Sequence, residues 1–249
     1  MNETINTLME HTSIRSFEDR PLSAEQIHTL IESAQAASTS SFIQAYSIIG
    51  ITDQTKKEKL AELAGNQTYV AKNGHFFIFC ADLYRHQVIA ESKEIDLSES
   101  LESTEKFMVS VIDASLAAQN AVVAAESMGL GICYIGGIRN NLEEVGELLR
   151  VPKHVIPLFG LAVGYPSQSP EKKPRLPRNH IYHQEEYQQD LVTYKKQLSE
   201  YDAIISNYYA ERTNGKRQDN WTDQMVNMLS NPKRMYMNDY VKRQGFTKR

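Results

Sequence analysis

Three short polar segments in the first 70 residues carry side chains that could bind a small anionic or flat ligand. Residues 11–15 read HTSIR and bring an imidazole, two hydroxyls and a guanidinium together just after an expected helix. Side chains and backbone N–H groups gathered in such a turn can bind an anion. Residues 38–41 read STSS and could donate to a phosphate or a heterocycle, and residues 65–67 read GNQ. Each segment would equally suit a solvated loop or, at Gly65, the C-terminal end of a helix.

A glycine pair, Gly136-Gly137, follows the β-prone run CYI at 133–135. Two glycines at the end of a strand let the backbone approach a flat ligand closely and expose N–H groups as donors. An ordinary turn from strand to helix would use the same residues, so the pair alone does not identify a binding site.

Two groups of cations lie further along the chain. Lys173 and Arg175 flank a proline in KPRLP (173–177), and the stiffened backbone would hold the two charges in register for a phosphate group. The segment RTNGKR (212–217) could bind the 2′-phosphate of NADPH, an RNA backbone or an acidic partner. Clustered cations indicate a phosphate ligand without selecting among these partners, and an exposed basic loop is the alternative at 173–177.

The elements that would position these groups follow from capping residues and hydrophobic periodicity. Asn2 or Thr4 can cap a first helix, and Ser23 with Gln26 forms a capping box that predicts the start of a second. A nearly all-round apolar segment at 107–128 is typical of a central helix packed on several sides. The other expected elements are buried strands at 46–52, 75–81, 129–135 and 155–164, and helices at 54–64 and 141–149.

Composition argues against several classes of protein. The chain has 249 residues, a net charge of −4, a pI near 6.0 and a mean hydropathy of −0.47, which argue against a membrane protein or a protein that coats nucleic acid. Its longest strongly apolar stretch, 155–164, falls well short of the roughly 20 residues that span a bilayer. The first residues show no secretory signal, so we expect a cytoplasmic protein.

Cysteine and histidine usage gives no sign of a metal site. Cys80 and Cys133 stand in apolar runs and are expected to be reduced and buried. The seven histidines show no paired metal-ligand spacing. The motifs of serine hydrolases, P-loop NTPases and simple Rossmann dehydrogenases are also absent, which weakens the case for those enzymes.

The small net charge conceals an uneven distribution. Residues 91–105 carry six acidic residues and one lysine, whereas residues 212–249 carry nine Lys or Arg and three Asp. We expect the acidic segment to be an exposed loop or helix start. The basic segment is expected to be a C-terminal extension of the chain.

Taken in order, these motifs resemble the family of NADPH-dependent flavin reductases and oxygen-insensitive nitroreductases, in particular the group with a C-terminal extension. The resemblance covers nearly the whole chain. The matching segments are HTSIR (11–15), STSSF with Gln44 (38–44), AGNQ (64–67), the run at 117–140 that ends in YIGGIRN, LFGLAVG with Pro166 (158–166), KPRLP (173–177) and YYAERTNGKR with Trp221 (208–221).

The resemblance implies an α+β sandwich in which a mixed central sheet is flanked by helices. It implies an intertwined homodimer with one tightly bound FMN per subunit at the interface. Residues 1–195 would form the FMN-binding core, and 196–249 would form a basic helical extension that packs on the core rather than an independent domain. No nucleic acid and no membrane partner is expected.

The resemblance also implies cofactor contacts at particular residues. Arg15 would lie near the pyrimidine side of the flavin and tune it, and Lys173 with Arg175 would hold the phosphate or ribityl region. The co-substrate NADPH would be recognised by Arg212, Arg217 and Arg234. The remaining implied cofactor contacts are His11, Thr12, Ser13, Thr39, Ser41, Gln67, Tyr134, Ile135, Gly136 and Gly137.

One position departs from the family pattern. The family usually reads HRSIR where this chain reads HTSIR, so Thr12 replaces a cation near the expected phosphate. Either FMN binds less tightly as a result, or another cation such as Lys173 compensates for the missing charge.

The implied activity is a ping-pong transfer of hydride from NADPH through FMN to nitroaromatics, quinones or free flavin. The cofactor carries the redox chemistry, so no catalytic triad or metal is needed. Two other classes fit parts of the sequence: a flavin-binding redox partner without turnover of its own, and a nucleic-acid-binding protein that uses the basic tail.

Overall fold

The computed structural model describes every residue from Met1 to Arg249 and combines helices with one four-stranded sheet. The strands are β1 (Tyr46–Ile51), β2 (His75–Asp82), β3 (Gly131–Ile135) and β4 (Val155–Gly164). The helices are α1 (Glu3–Glu10), α2 (Ala24–Gln35), α3 (Gln54–Leu63), α4 (Thr68–Ala71), α5 (Tyr84–Ser92), α6 (Ser98–Leu101), α7 (Thr104–Ser127), α8 (Leu142–Leu149), α9 (Arg178–Ile181), α10 (Leu191–Arg212), α11 (Trp221–Leu229) and α12 (Met237–Arg243), with 3₁₀ turns at Ser40–Phe42 and Gly136–Asn140.

The chain divides into two compact units. The first comprises Met1–Pro170 and Arg234–Arg249, and the second comprises Glu171–Lys233. These bounds differ from the expected division at residue 195. The last residues of the chain belong to the first unit because Tyr240 and Phe246 are buried in its core.

The strands lie in the order β1-β2-β4-β3, and every neighbouring pair is antiparallel. The expectation of a mixed sheet is therefore corrected: the parallel pairing in the structure is one isolated bridge between Ser13 and Ile132. The segment around Ser13 lies beside β3 but pairs at a single residue, so it adds a contact to the sheet edge rather than a fifth strand.

Strand β2 lies inside the sheet and is buried along its whole length, as its apolar run predicts. Its side chains alternate between the two faces, as in any strand. Phe77 and Phe79 pack with apolar residues of α2 and α7, whereas Phe76 and Ile78 pack on the opposite face with residues of α3, α8 and α12. The expectation of a buried strand is wrong for β1, because it lies at the edge and only Ile51 is fully buried.

Capping residues place the first helices as expected. The Asn2 side chain accepts from the backbone N–H of Ile5 at 2.9 Å, and Ser23 and Gln26 form a complete capping box at the start of α2. The central helix α7 begins earlier than the expected residue 107, because Ser103 caps it through the N–H of Lys106 at 3.2 Å.

The helix α7 is buried on one side and exposed on the other. It is long and apolar enough to cross a membrane by length and composition alone, but it packs on the sheet as the core helix of a globular unit does. Met108, Ile112 and Leu116 lie one helical turn apart and are 54%, 49% and 44% exposed. The residues buried on its other side are Val109, Ser110, Asp113, Ala114, Ala117, Ala118, Ala121, Val122 and Ala125.

The second unit has a small core of its own. Tyr201, Ile205 and Tyr209 of α10 are buried, and Trp221 packs edge-on against Tyr201 with 5.7 Å between ring centroids. Asp202 joins α10 to the start of α11 by accepting from the N–H groups of residues 221 and 222, each at 2.9 Å.

Candidate functional site

Residues 11–15 lie along the outer edge of β3. The N–H of Ile14 donates to the carbonyl of Ile132 at 2.8 Å. Gly131 is required here, because a Cβ atom on it would lie 2.6 Å from Cγ1 of Ile14. This pairing carries the HTSIR segment toward the end of β3, where the glycine pair follows.

Arg15 is exposed, and its guanidinium reaches the hydroxyl of Tyr69. Burial raises the pKa of Tyr69, while the charge and hydrogen bond of Arg15 pull that pKa in the opposite direction. Burial likewise raises the pKa of the Cys133 thiol, and Arg15 opposes this shift too. Arg15 therefore lies between the end of β3 and α4.

Gln67 links Tyr69 to the glycine pair. Its Nε2 donates to the carbonyl of Ala64 at 2.6 Å, and its Oε1 accepts from the Tyr69 hydroxyl. A Cβ atom on Gly137 would lie 2.5 Å from Gln67 Nε2 and closer still to the Ala64 carbonyl oxygen. The absence of a side chain at Gly137 thus allows the AGNQ segment to pack directly on the turn after β3.

We refer to Arg15, Gln67, Tyr69, Gly136 and Gly137 as the Arg15 cluster. The structure brings three of the motifs that the sequence singled out, HTSIR, AGNQ and the glycine pair, into one place. Tyr69 was missed at the sequence level; its position two residues after Gln67, at the start of a short helix, was the available signal.

Arg139 and Asn140 extend this cluster. The Arg139 guanidinium donates to the carbonyl of Leu158, and burial lowers the pKa of Arg139. Asn140 Oδ1 accepts from Nε and Nη2 of Arg234 at 3.0 and 2.8 Å. Arg234, one of the expected NADPH contacts, is thereby fixed beside the glycine pair within the first unit.

Tyr134 and Ile135 point to different environments. Tyr134 is 38% exposed, its hydroxyl donates to Gln119 Oε1 at 3.4 Å, and burial of that hydroxyl raises its pKa. The side chain of Ile135 is fully buried in the core. Only the backbone of Ile135 can therefore contact a ligand, whereas Tyr134 can do so through its ring.

Thr12 lines a cleft of about 810 Å³, and His11 contacts Glu126, which lines the same cleft. His11 Nδ1 lies 2.6 Å from Glu126 Oε1, a contact that ties the end of α1 to the end of α7. Thr12 lines the cleft together with Glu10, Glu126 and Ser167. The carboxylates on this wall would oppose a phosphate group, which gives Thr12 a different setting from a phosphate-binding cation.

The loop at 39–45 has a constrained backbone. Ser41, Phe42 and Gln44 have backbone φ values of 49°, 58° and 52°, which residues other than glycine rarely adopt. The fully buried carboxylate of Asp113 accepts from the N–H groups of Ser40 at 2.9 Å and Ala45 at 3.0 Å.

Helix α5 also holds the loop at 39–45. His86 Nε2 lies 3.0 Å from the carbonyl of Ile43, and Arg85 donates to the carbonyl of Gln44 at 3.2 Å. Thr39 is half-buried and Ser41 is exposed, so both expected contact residues stand on a loop fastened to α5 and α7. Asp113 was missed, although a lone carboxylate in the apolar segment 107–122 signals a buried acceptor that needs partners.

The remaining expected cofactor contacts belong to the second unit. Lys173 Nζ and Arg217 Cζ lie 5.4 and 4.3 Å from the ring centroid of Tyr209, and a hydrogen bond from Lys173 lowers the pKa of Tyr209. Arg217 Nε also donates to Asp219 at 2.8 Å. The structure therefore places Lys173, an expected FMN contact, at the same tyrosine ring as Arg217, an expected NADPH contact.

Arg175 and Arg212 complete the basic group of the second unit. Arg175 donates to the backbone carbonyl of Lys173 at 2.9 Å, and Arg212 donates to the hydroxyl of Tyr208 at 2.8 Å. Three cations, Lys173, Arg212 and Arg217, thus lie at two adjacent tyrosines of α10, and Arg175 follows in the loop that carries Lys173. A surface of guanidinium and ammonium groups over aromatic rings suits a phosphorylated ligand.

Comparison with known proteins gives consistent matches over the whole chain. The nitroreductase family profile matches residues 8–165, and that of the nitroreductase family C-terminal domain matches residues 173–249. A Bacillus subtilis protein named FMN reductase (NADPH) is 60% identical over 248 residues, covering 100% of each chain.

Solved structures agree with the sequence matches. The structure of Bacillus megaterium NfrA1 has a TM-score of 0.98 and 65% identity, covering 99% of this chain and 100% of that one. The NADPH:FMN oxidoreductase of Vibrio harveyi complexed with NAD⁺ has a TM-score of 0.90 and 38% identity, covering 100% of both chains. The α+β fold, the order of the motifs and these matches together show that the chain belongs to the nitroreductase family and carries the C-terminal domain of that family.

Proposed function

We propose that this chain is an FMN-containing oxidoreductase that takes hydride from NADPH and passes it to a second, flat acceptor. The observation that carries the proposal is the Arg15 cluster, in which three separate motifs meet at the end of β3. The names of the relatives, FMN reductase (NADPH) and NADPH:FMN oxidoreductase, support the choice of cofactor and co-substrate.

The donor groups of the Arg15 cluster fit the edge of a flavin ring. An isoalloxazine presents carbonyl oxygens and ring nitrogens along its pyrimidine edge, and these accept hydrogen bonds. Arg15 offers an exposed guanidinium, and the 3₁₀ turn that begins at Gly136 has backbone N–H groups without partners inside the turn. Because Gly137 has no side chain, Gln67 packs directly on this turn, which keeps its amide beside the same N–H groups.

Each residue of the cluster has a defined role in this proposal. Bound FMN would supply the hydride-transfer chemistry. The positive charge of Arg15 would stabilise the negative charge that develops on the pyrimidine side when the ring is reduced. The Tyr69 hydroxyl and the Ala64 carbonyl fix the Gln67 amide, so Gln67 can present its second N–H in one orientation. The N–H groups of Gly136 and Gly137 would hold the ring near its N5 edge.

Phosphate recognition is assigned to the basic group of the second unit. Lys173 and Arg175 would hold the phosphate or ribityl region of FMN, and Arg212 and Arg217 would select NADPH through its 2′-phosphate. Arg234, whose guanidinium is fixed by Asn140, would also recognise NADPH. Because Thr12 lines a cleft that contains carboxylates, we infer that these cations supply the charge that Thr12 lacks.

We infer that the protein works as a homodimer. Met108, Ile112 and Leu116 form an exposed apolar stripe on α7, and a second copy packed on this stripe would remove it from water. The loop at 39–45 is fastened to the same helix, so an interface on α7 would place Thr39 and Ser41 close to the contact between subunits. We also infer a cytoplasmic location, which agrees with two buried cysteines that form no disulfide.

The acceptors proposed are nitroaromatics, quinones and free flavin. A flavin held by its edge leaves one face open, and flat oxidants of many kinds can stack on it. Because the same face would receive NADPH first, the two reactants would bind in turn, which gives ping-pong kinetics.

The visible spectrum of the purified protein tests the proposal. The protein is expected to be yellow, and addition of NADPH under nitrogen is expected to bleach it. A yellow protein that NADPH does not bleach would indicate a flavin carrier without turnover. A colourless protein that does not take up FMN, and whose affinity for nucleic acid falls steeply with salt, would instead indicate a nucleic-acid-binding protein.

A further inference from the structure

The loop at 39–45 contains an unusual concentration of unfavourable backbone conformations. Three of its residues, Ser41, Phe42 and Gln44, lie in the left-handed region within four positions. Each such residue raises the energy of the loop, so this conformation persists only if the surroundings impose it. Phe42 is 82% exposed, which shows that burial of its side chain is not what imposes it.

The surroundings act through one carboxylate at both ends of the loop. Asp113 Oδ1 accepts from Ser40 and Oδ2 accepts from Ala45, so a single side chain fixes the separation of the two ends. Asp113 is fully buried, and no other acidic residue lies between Glu105 and Glu126. Hydrogen bonds to an ionised group are about twice as strong as neutral ones.

Helix α5 fixes the middle of the loop, β2 fixes the carbonyl of Ala45 through the N–H of Asp82 at 3.0 Å, and Asp113 is the group that bridges both ends. His86 contacts the carbonyl of Ile43, and Arg85 donates to the carbonyls of Gln44 and Tyr46. These contacts reach carbonyl oxygens only. The N–H groups of Ser40 and Ala45 are held by Asp113.

We propose that Asp113 is a positioning residue for flavin binding: by holding both ends of the loop at 39–45, it presents Thr39 and Ser41 to the cofactor. The inference rests on the proposed function, since it takes FMN as the ligand that these hydroxyls contact. Asp113 itself is buried behind the loop and acts through it.

Replacement of the carboxylate by an amide isolates its role as a double acceptor. Asp113→Asn keeps the size of the side chain but places an NH₂ group against one of the two backbone donors. One buried N–H then loses its acceptor, and the loop is expected to leave its left-handed conformation. Ser110→Ala is the matched control, because Ser110 is equally buried on α7 but bonds only to the carbonyl of Phe107 in its own helix, at 2.8 Å.

The experiment is a titration of the apo-proteins with FMN, in which quenching of the flavin fluorescence reports binding. We expect Asp113→Asn to raise the Kd for FMN by about tenfold or more, and Ser110→Ala to leave it within twofold of the wild-type value. In the Asp113→Asn background, Gln44→Gly is expected to restore part of the lost affinity, because glycine adopts a φ near 52° without strain. A purely structural defect in α7 would not respond to Gln44→Gly.

Hydrogen exchange of the wild-type protein gives a second measurement that does not depend on the variants folding. The amides of Ser40 and Ala45 are expected to exchange far more slowly than those of other exposed loops. Rapid exchange at both amides, or an Asp113→Asn protein that binds FMN as tightly as the wild type, would overturn the role of Asp113. A wild-type protein that does not bind FMN at all would instead overturn the proposed function.

Discussion

Substitution of Gly137 by alanine should disturb the Arg15 cluster, whereas the same change at Gly136 should not. A Cβ atom at position 137 would lie 2.5 Å from Gln67 Nε2 and even closer to the carbonyl oxygen of Ala64. The backbone carbonyl cannot move aside as a side chain can. At position 136 the nearest atom is Arg139 Nη2 at 3.2 Å, the far end of a flexible side chain.

The size of the effect follows from overpacking. Insertion of a methyl group into a closely packed site costs about 1–3 kcal/mol. For a protein of this size, each kcal/mol lowers Tm by about 2–4 °C, so Gly137→Ala should lower Tm by about 2–12 °C. Neither glycine has a positive φ, so alanine introduces no backbone strain at either position and steric contact is the difference between them.

Thermal unfolding and FMN titration of the two variants measure the effect. We expect Gly137→Ala to lose both stability and FMN affinity, because the Ala64–Gln67 segment must shift away from the turn. Gly136→Ala should resemble the wild type in Tm. If both variants had the same Tm and Kd, the close packing of AGNQ on the glycine pair would not be what shapes the site.

Four further changes test other parts of the molecule. Arg15→Ala should lower the midpoint potential of the bound flavin, by about 30 mV for each tenfold loss of preference for the reduced form; an unchanged potential in a spectroelectrochemical titration would contradict the tuning role. Arg217→Ala should reduce kcat/KM for NADPH by about tenfold or more and leave that for NADH unchanged; an unaltered ratio of the two would show that Arg217 does not read the 2′-phosphate. Burial, assisted by the charge of Lys57, lowers the pKa of His75 from 6.5 to about 4. The unfolded chain therefore binds a proton between these pH values that the folded protein does not, so stability should be lost as pH falls from about 6.5 to 4, by up to about 3 kcal/mol, and denaturant titrations of His75→Phe should show a flatter pH dependence. Ile112→Glu places a charge on the exposed stripe of α7 and should shift the protein from dimer to monomer in sedimentation velocity, and an intact dimer would place the interface elsewhere.

Helix starts and buried apolar strands depend mainly on residues that are close together in the chain, whereas the position of a strand within the sheet does not. The capping box at Ser23 and Gln26 needs only neighbouring residues and was predicted correctly, and of the two caps that the sequence offered for α1, Asn2 and Thr4, the structure uses Asn2. The strand run at 75–81 was also correct, because an apolar run of that length and composition forms a buried strand. The similar run at 46–52 was placed in the interior but lies at the edge of the sheet, since strand order depends on pairing between distant segments.

The candidate site likewise combines features that the sequence determines with features that depend on the fold. The sequence by itself determined which residue types were available: the hydroxyls and guanidinium of HTSIR, the glycine pair, and the cations of KPRLP and RTNGKR. The order of these motifs was enough to indicate the family, because motifs that keep their order over a whole chain do not arise from composition.

Only the tertiary structure decided which of these groups meet. It joined Arg15 to Tyr69 and Gln67 through the edge of β3, and it placed Lys173 beside Arg217 over a tyrosine ring in the second unit. It also revealed Asp113, whose partners are about 70 residues away in the chain. The physical reason is that a buried carboxylate and a strained loop stabilise one another only when the fold has brought them into contact, and such contacts leave no periodic trace in the sequence.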